Sequence, residues 1–330
     1  MSKVTVLVAA YNAQPYLRAC LDSLRRQSLT DFQAICVDDA STDDTPEILD
    51  GYAAEDPRFQ VVHLSENGGQ AKARNIALSM ADGDYVCMLD SDDWLSDNAL
   101  QEASEVLDQH PGTDCVLFQV EEVFPDHSRR YPMPRFETIT GQEAFEYSLT
   151  WAVHGLYMLR NTLHQQYPYD DSSRAYSDDN TTRIHYLRSR EVRQCGGIYY
   201  YRQHESSVTH RVSARRFDYL LANESMKRQI LSVGVEERLL NVYEKVRWLN
   251  LIDTYMFYFN HRRQLSPEDC RHGLSEMKRV WKGMETHRIP LALRWKPGYM
   301  PLRPFWWLFR VQEECYFGLR NWCPWRRHRN

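Results

Sequence analysis

Four short apolar runs, each closed by a polar cluster and each followed by a helix-patterned segment, constrain most of what this chain can fold into. Residues 4–10 (VTVLVAA) are apolar or β-branched throughout, as a strand buried on both faces reads. Tyr11, Asn12 and Pro15 end that run, and 16–27 then carries Leu17, Cys20, Leu21 and Leu24 on one helical stripe. A second strand over 32–37 ends in Asp38 and Asp39. Ser41, Thr42 and Asp43 offer an N-cap to a helix over 45–54. A third strand over 59–64 runs into Asn67-Gly68-Gly69 and a helix over 70–80. A fourth, over 84–89, ends in Asp90-Ser91-Asp92-Asp93, ahead of a helix over 95–109 and a fifth strand over 113–120. Strands alternating with helices at this spacing specify an open, mostly parallel sheet with helices on both faces. Ligands of such sheets bind beyond the carboxyl ends of the strands, which is where the four polar clusters fall.

The remainder is less regular. Short helices are expected over 143–149, 157–164 and 180–188, and a tyrosine-rich strand over 197–202. The stretch 214–284 is helical in pattern. The end of the chain is dense in Trp, Pro and Arg. With 330 residues, two domains are the prior expectation. The net charge of −5 gives no basic field, so no nucleic-acid partner is expected. That average hides an asymmetry: from Arg288 onward nine basic residues face two acidic ones, a local +7 on a body of −12. The eight cysteines form no C-x-x-C pair and read as free thiols in a reducing compartment. No secretory signal is visible, and no apolar run approaches the roughly 18 residues of a membrane span, so a cytoplasmic protein is expected.

Each polar cluster has an ordinary reading beside a chemical one. Asp90, Asp92 and Asp93 would repel one another at a strand end unless a cation sat among them. Mg²⁺ or Mn²⁺ on one or two carboxylates plus substrate phosphates meets that need; a solvated helix cap is the alternative. Asp38 and Asp39 could cap the next helix, or accept a nucleobase N–H while Tyr11 offers a flat face for stacking. Lys72 and Arg74, after the glycine turn, could neutralise a diphosphate. The turn is neither a P-loop nor a G-x-G-x-x-G fingerprint.

Together, VTVLVAAYN over 4–12, VDDASTD over 37–43, NGG over 67–69 with ARN over 73–75, and LDSDD over 89–93 resemble the family 2 glycosyltransferases of bacterial surface-polysaccharide type, in order and in spacing. The resemblance covers about residues 3–210 and implies an α/β GT-A nucleotide-diphospho-sugar transferase fold, Rossmann-like and mostly parallel. The expected layout is a catalytic domain over 1–212, a helical C-terminal region over 213–287 and a basic, aromatic tail over 288–330. It implies an inverting, hexosyltransferase-like enzyme dependent on Mn²⁺ or Mg²⁺. Its donor would be a nucleotide-diphosphate sugar, with UDP-sugar favoured, and its acceptor a saccharide or lipid-linked hydroxyl.

The same resemblance distributes roles. Ala9, Tyr11, Asn12, Asp39, Lys72, Arg74, Asp90 and Ser91 would form the donor pocket, and Asp92 and Asp90 would ligate the metal. The family's catalytic base sits on the second residue of an acidic pair ahead of a helix. Here Asp178-Asp179 takes that place, with Asp where Glu is usual at 178, and Asp179 is the expected base. Asp170-Asp171 is a rival pair. The segment 199–209 resembles the family's closing strand and loop, placing Arg202, Ser206 and Ser207 on the diphosphate and His204 as a further metal ligand. A nucleotidyltransferase, which would need a basic glycine-rich loop after the first strand, and a non-catalytic nucleotide-sugar-binding protein are the other classes.

The tail reads in two ways. An interfacial helix needs an apolar face, interfacial tryptophans and cationic flanks, and 288–330 supplies Trp306, Phe309, Val311 and Phe317 with Arg326, Arg327 and Arg329 at the end. It could equally be a helix packed on the enzyme's own core. The first reading makes the protein peripheral on the inner face of the cell membrane.

Overall fold

The computed structural model describes residues 2–171, 177–203 and 212–322. The chain divides into two compact units, 1–207 and 208–330.

The first unit is built on a ten-stranded mixed sheet. Its strands are β1 (Val4–Ala10), β2 (Phe32–Asp38), β3 (Phe59–His63), β4 (Tyr85–Met88), β5 (Trp94–Leu95), β6 (Thr113–Val123), β7 (Ser128–Arg130), β8 (Thr138–Thr140), β9 (Tyr157–Arg160) and β10 (Glu191–Arg202). The main path runs β3-β2-β1-β4-β9-β6-β10-β5, with β7 beside β6 and β8 beside β10. β1 pairs in parallel with β2 and β4, β2 with β3, and β6 with β10. β9 is antiparallel to both β4 and β6, so those two run the same way and six strands end on one edge.

The helices of this unit are α1 (Gln14–Arg25), α2 (Thr45–Glu55), α3 (Gln70–Ser79), α4 (Ala99–Gln109), α5 (Gly141–Ser148), α6 (Asn161–Gln166) and α7 (Ser177–Arg188). The sheet buries both faces, by the two-residue alternation of a strand. Val4, Val6 and Val8 point to one side, into a core with Leu17 and Leu21 of α1 and Leu100 of α4. Leu7, Ile35, Val37 and Val86 point to the other, against Ala73 and Ala77 of α3.

Two stretches differ from the sequence expectation. Residues 157–164 are strand β9 followed by the short α6, not one helix. Trp94 and Leu95 are not the start of a helix; they pair with Tyr200 and Tyr199 of β10, and α4 begins at Ala99. In both cases pairing with a distant strand overrides a local pattern too short to discriminate.

The second unit is helical: α8 (Asp218–Val233), α9 (Glu237–His261), α10 (Pro267–Gly283), α11 (Leu291–Arg294) and α12 (Trp306–Trp322). α8 ends on Gly234 in the left-handed region, and α10 starts on Ser266, which accepts the Asp269 amide. The core joins Trp248, Leu251 and Tyr255 of α9, Met277 and Trp281 of α10, and Phe309 and Phe317 of α12. Residues of the expected helical region and of the expected tail therefore share one core. A buried ion cluster lies in this unit: Glu244 receives Arg247 at 2.7 Å and Lys227 at 3.1 Å, and accepts the Glu285 amide at 2.7 Å. No described helix is long and apolar enough to cross a membrane.

Candidate active site

β1, β2 and β4 bring three of the polar clusters to the same edge of the sheet. Register sets Ala10 beside Asp38, and Leu7 beside Met88. Ala9 is half-buried on β1, opposite Val37. Beyond it Tyr11 is 51 % exposed. Asn12 takes positive φ and accepts the Thr42 amide at 2.8 Å, while its own N–H donates to Ser41 Oγ at 2.9 Å. The turns after β1 and β2 are thereby sewn together under Tyr11.

Asp38 and Asp39, adjacent in sequence, do different things, and neither caps α2. Asp38 accepts the Ser41 amide and pairs with His63 Nδ1 at 3.1 Å, and His63 Nε2 meets Asp50 at 3.0 Å. Asp39 is buried and accepts the Gly68 and Gly69 amides, one on each carboxylate oxygen, at 2.7 and 2.8 Å. The glycine turn thus closes on Asp39. Gly69 sits at φ +90, a conformation that L side chains rarely adopt. Each Asp39 oxygen has a second lone pair for another donor. Lys72 is half-exposed and lies 3.8 Å from Glu66.

The acidic turn after β4 is organised by Arg74, Tyr199 and Arg202. Arg74 is buried on α3 and donates to Asp90 at 2.5 Å; Gln70, one turn earlier, donates to the same oxygen at 3.1 Å. The Asp90 amide donates to Tyr199 Oη at 3.0 Å. Ser91 and Asp92 are half-buried. Asp93 is fully buried, accepting Tyr199 Oη at 3.0 Å and the Arg202 amide at 2.7 Å. Burial first, then the charges of Asp90 and Asp92, push its carboxyl well above the usual range. Arg202 closes the group: its Nε donates to the Asp92 carbonyl at 2.8 Å, and its guanidinium packs over Trp94 and Tyr16, 4.5 and 5.1 Å from the ring centres. Tyr199, Gln70, Tyr16 and Trp94 belong to this cluster although sequence reasoning gave them no role, and Asp93, read there as one of three carboxylates around a cation, is instead held by Tyr199 and Arg202. The signal was partial: four acidic-turn residues and three consecutive tyrosines, with no means to see that they face one another.

Asp179 lies in the first turn of α7, partly buried, 4.0 Å from Arg183, whose guanidinium packs over Trp151. α7 reaches β10 through Ser189 and Arg190, so Asp179 is at the helix end remote from the start of β10. A chain of contacts links this end to Asp90. Arg74 packs over the Tyr169 ring at 5.3 Å, and Asn75 grips the Tyr169 backbone from both sides, at 2.9 Å each. The next residue, Asp170, donates its amide to Thr181 and accepts Asn180 at 3.2 Å. The rival acid pair therefore anchors α7, through Asp170. His204, Ser206 and Ser207 lie outside the described residues.

Among the described residues no three His, Cys, Asp or Glu side chains come together as metal ligands. The hard carboxylate oxygens of Asp90 and Asp92 fit the alternative in which one or two protein carboxylates share a divalent ion with substrate phosphates.

Comparison with known proteins shows the family and the fold. The model of glycosyl transferase family 2 matches residues 5–173. The uncharacterized glycosyltransferase EpsJ of Bacillus subtilis is 30% identical over 218 residues, 62% of each chain. The poly(ribitol-phosphate) beta-N-acetylglucosaminyltransferase TarS of Staphylococcus aureus is 35% identical over 140 residues, 42% of this chain and 24% of TarS. The chain spans under two thirds of the length of these relatives. In structure, TarS 1–349 in complex with UDP-GlcNAc superposes with a TM-score of 0.73 at 21% identity, covering 95% of this chain and 91% of that one. The mannosyltransferase PcManGT from Pyrobaculum calidifontis, in complex with GDP-Man and Mn2+, gives 0.53 at 17% identity, covering 97% and 87%. A sheet whose parallel strands deliver these motifs to one edge, matched by the family model over half its length, places the chain in glycosyl transferase family 2.

Proposed function

We propose that the protein is an inverting glycosyltransferase that moves a sugar from a nucleotide-diphosphate donor, a UDP-sugar by preference, to a hydroxyl of a saccharide or lipid-linked acceptor. The carrying observation is the convergence of Tyr11, Asp39, Asp90–Asp93 and Arg202 on one sheet edge, with the helix of Asp179 tied to that cluster through Tyr169. Tyr11 offers its exposed ring to the nucleobase, and Asp39 accepts a base N–H. Arg202 and Arg74, with Lys72 at the rim, lower the cost of the diphosphate charge. Asp92 and Asp90 would hold a divalent cation, which supplies charge neutralisation at the leaving diphosphate.

Asp179 takes the proton of the acceptor hydroxyl as its oxygen bonds to the anomeric carbon and the bond to the diphosphate oxygen breaks. One in-line displacement inverts that carbon. Support for the donor class comes from the UDP-GlcNAc and GDP-Man named for the structural neighbours. Relatives named as a teichoic acid poly(glycerol phosphate) polymerase and as a putative teichuronic acid biosynthesis glycosyltransferase support a cell-surface polymer or glycolipid as product. Such acceptors favour an enzyme at the inner face of the membrane.

The test is turnover of a panel of nucleotide sugars with Mn²⁺. Asp179→Asn should lower kcat by about 10²–10⁴-fold, the range of a lost general base. It should keep the thermal stabilisation given by the nucleoside diphosphate. Asp92→Asn should lose the Mn²⁺ dependence of that stabilisation. Equal turnover by wild type and Asp179→Asn would remove Asp179 as the base.

A further inference from the structure

The helix α12 has two apolar faces. One is satisfied: Phe309, Glu313 and Phe317, spaced four apart, point into the core of the second unit. The other is not. Trp307, Val311, Leu319 and Trp322 are 63, 50, 67 and 86 % exposed, and at 100° per residue they form a single stripe opposite the buried one. Cys315 and Gly318 complete that stripe and add no charge. Phe305, exposed just before the helix with its ring 6.3 Å from that of Trp307, extends the apolar surface.

Charge decides what this surface suits. Of the two acids after Arg288, Glu313 is buried in the core, and Glu314 is paired with Arg262 at 2.7 Å. No carboxylate therefore lies on the outward stripe. Arg320 lies on the opposite side, against Met256 of α9, and past Trp322 the sequence carries Trp325, Arg326, Arg327 and Arg329 with no acid after Glu314. An uncharged stripe about 25 Å long, tryptophans toward its ends and a basic sequence directly after it match the interface of an anionic bilayer, where rings sit at headgroup level and cations meet phosphates. We infer that the outward face of α12 seats the protein on an anionic phospholipid surface. The helix lies in the interface and does not cross it. The inference stands independently of the glycosyl-transfer reading.

The test uses the full chain with vesicles of phosphatidylcholine, alone or with about one third phosphatidylglycerol. Wild type should sediment with the anionic vesicles, and about tenfold less with neutral ones or at high salt. Val311→Glu with Leu319→Glu should lose about tenfold or more of that binding, while its melting temperature and its stabilisation by UDP stay as in wild type. As a readout that leaves the stripe intact, alkylation of Cys315 in a Cys323→Ser background should slow when anionic vesicles are added. Equal sedimentation of wild type and the double variant, or no sedimentation of wild type, would overturn the inference. So would a wild-type dimer that the double substitution dissociates without vesicle binding, since a second copy would then cover the stripe.

Discussion

His63 shows how one residue can tie a binding edge to pH. Its Nδ1 meets Asp38 and its Nε2 meets Asp50, and only the imidazolium can donate from both nitrogens at once. The hydrogen bond to Asp50, and then that to Asp38, raise its pKa above the ordinary value. A pKa raised by folding means that the folded state binds the proton more tightly. The stabilisation is then fully present below the unfolded value of about 6.5 and is lost as pH rises through the folded value. Urea unfolding of wild type and His63→Gln across pH should show the largest stability difference on the acidic side, shrinking as pH climbs past neutrality. A difference independent of pH would mean that His63 is not charged in the fold. None of this is visible in the sequence, where His63 is one polar residue at a strand end; the partners lie 13 and 25 positions away. The partners of Asp93 were hidden in the same way. Asp90, Asp92 and Asp93 stand out together in the sequence, but the contacts of Asp93 with Tyr199 and Arg202 depend on β10 arriving beside it.

Among elements, legibility tracks how local the determining interaction is. β1, β2 and β4 are continuous apolar runs, and their polar ends mark the candidate edge without any knowledge of pairing. β9 and β5 are four and two residues long and exist because other strands flank them, so a local period could not reveal them. The link between α3 and α7 was equally hidden. Asn75 lies within the motif that carries the family resemblance, yet its work is to clamp Tyr169 and so to hold Asp170 under α7. Asn75→Ala removes two hydrogen bonds at a half-buried position, which costs about 1–3 kcal/mol. Its larger effect should be on positioning. Asp179 would drift relative to Asp90, and kcat should fall about tenfold or more while KM for the donor changes little. Steady-state kinetics with donor and acceptor varied separately would show it. Asn75→Asp, which keeps the acceptor, should recover part of the loss. A fall in melting temperature with unchanged kcat would instead make the clamp purely a matter of stability.

For the whole molecule, the basic, aromatic end looked separable in sequence, because Pro301 and Pro304 set it off and its charge opposes that of the remainder. The fold supports the other reading, a helix packed on the protein's own core. Phe309 packs on Trp248 and Trp281 at 5.7 and 6.0 Å, Phe317 stacks on Tyr255, and Glu314 is held by Arg262 and the Tyr255 hydroxyl. Half of α12 is therefore core, and a chain stopped after residue 287 would strip the covering from three large aromatic rings, each burying about 150–250 Å² when covered. Such a chain should show a second, lower and broader melting transition from the helical unit, with dye binding to exposed apolar surface. The sheet-bearing unit has its own core, so its stabilisation by UDP should persist in the same sample. Phe317→Ala in the full chain should destabilise the helical unit by about 3–5 kcal/mol. If truncation left one sharp transition at the wild-type temperature, α12 would be an appendage after all. Loss of vesicle binding on truncation could then be read directly; given the packing seen here, it could not, which is why substitutions on the outward stripe are the sharper probe of that face.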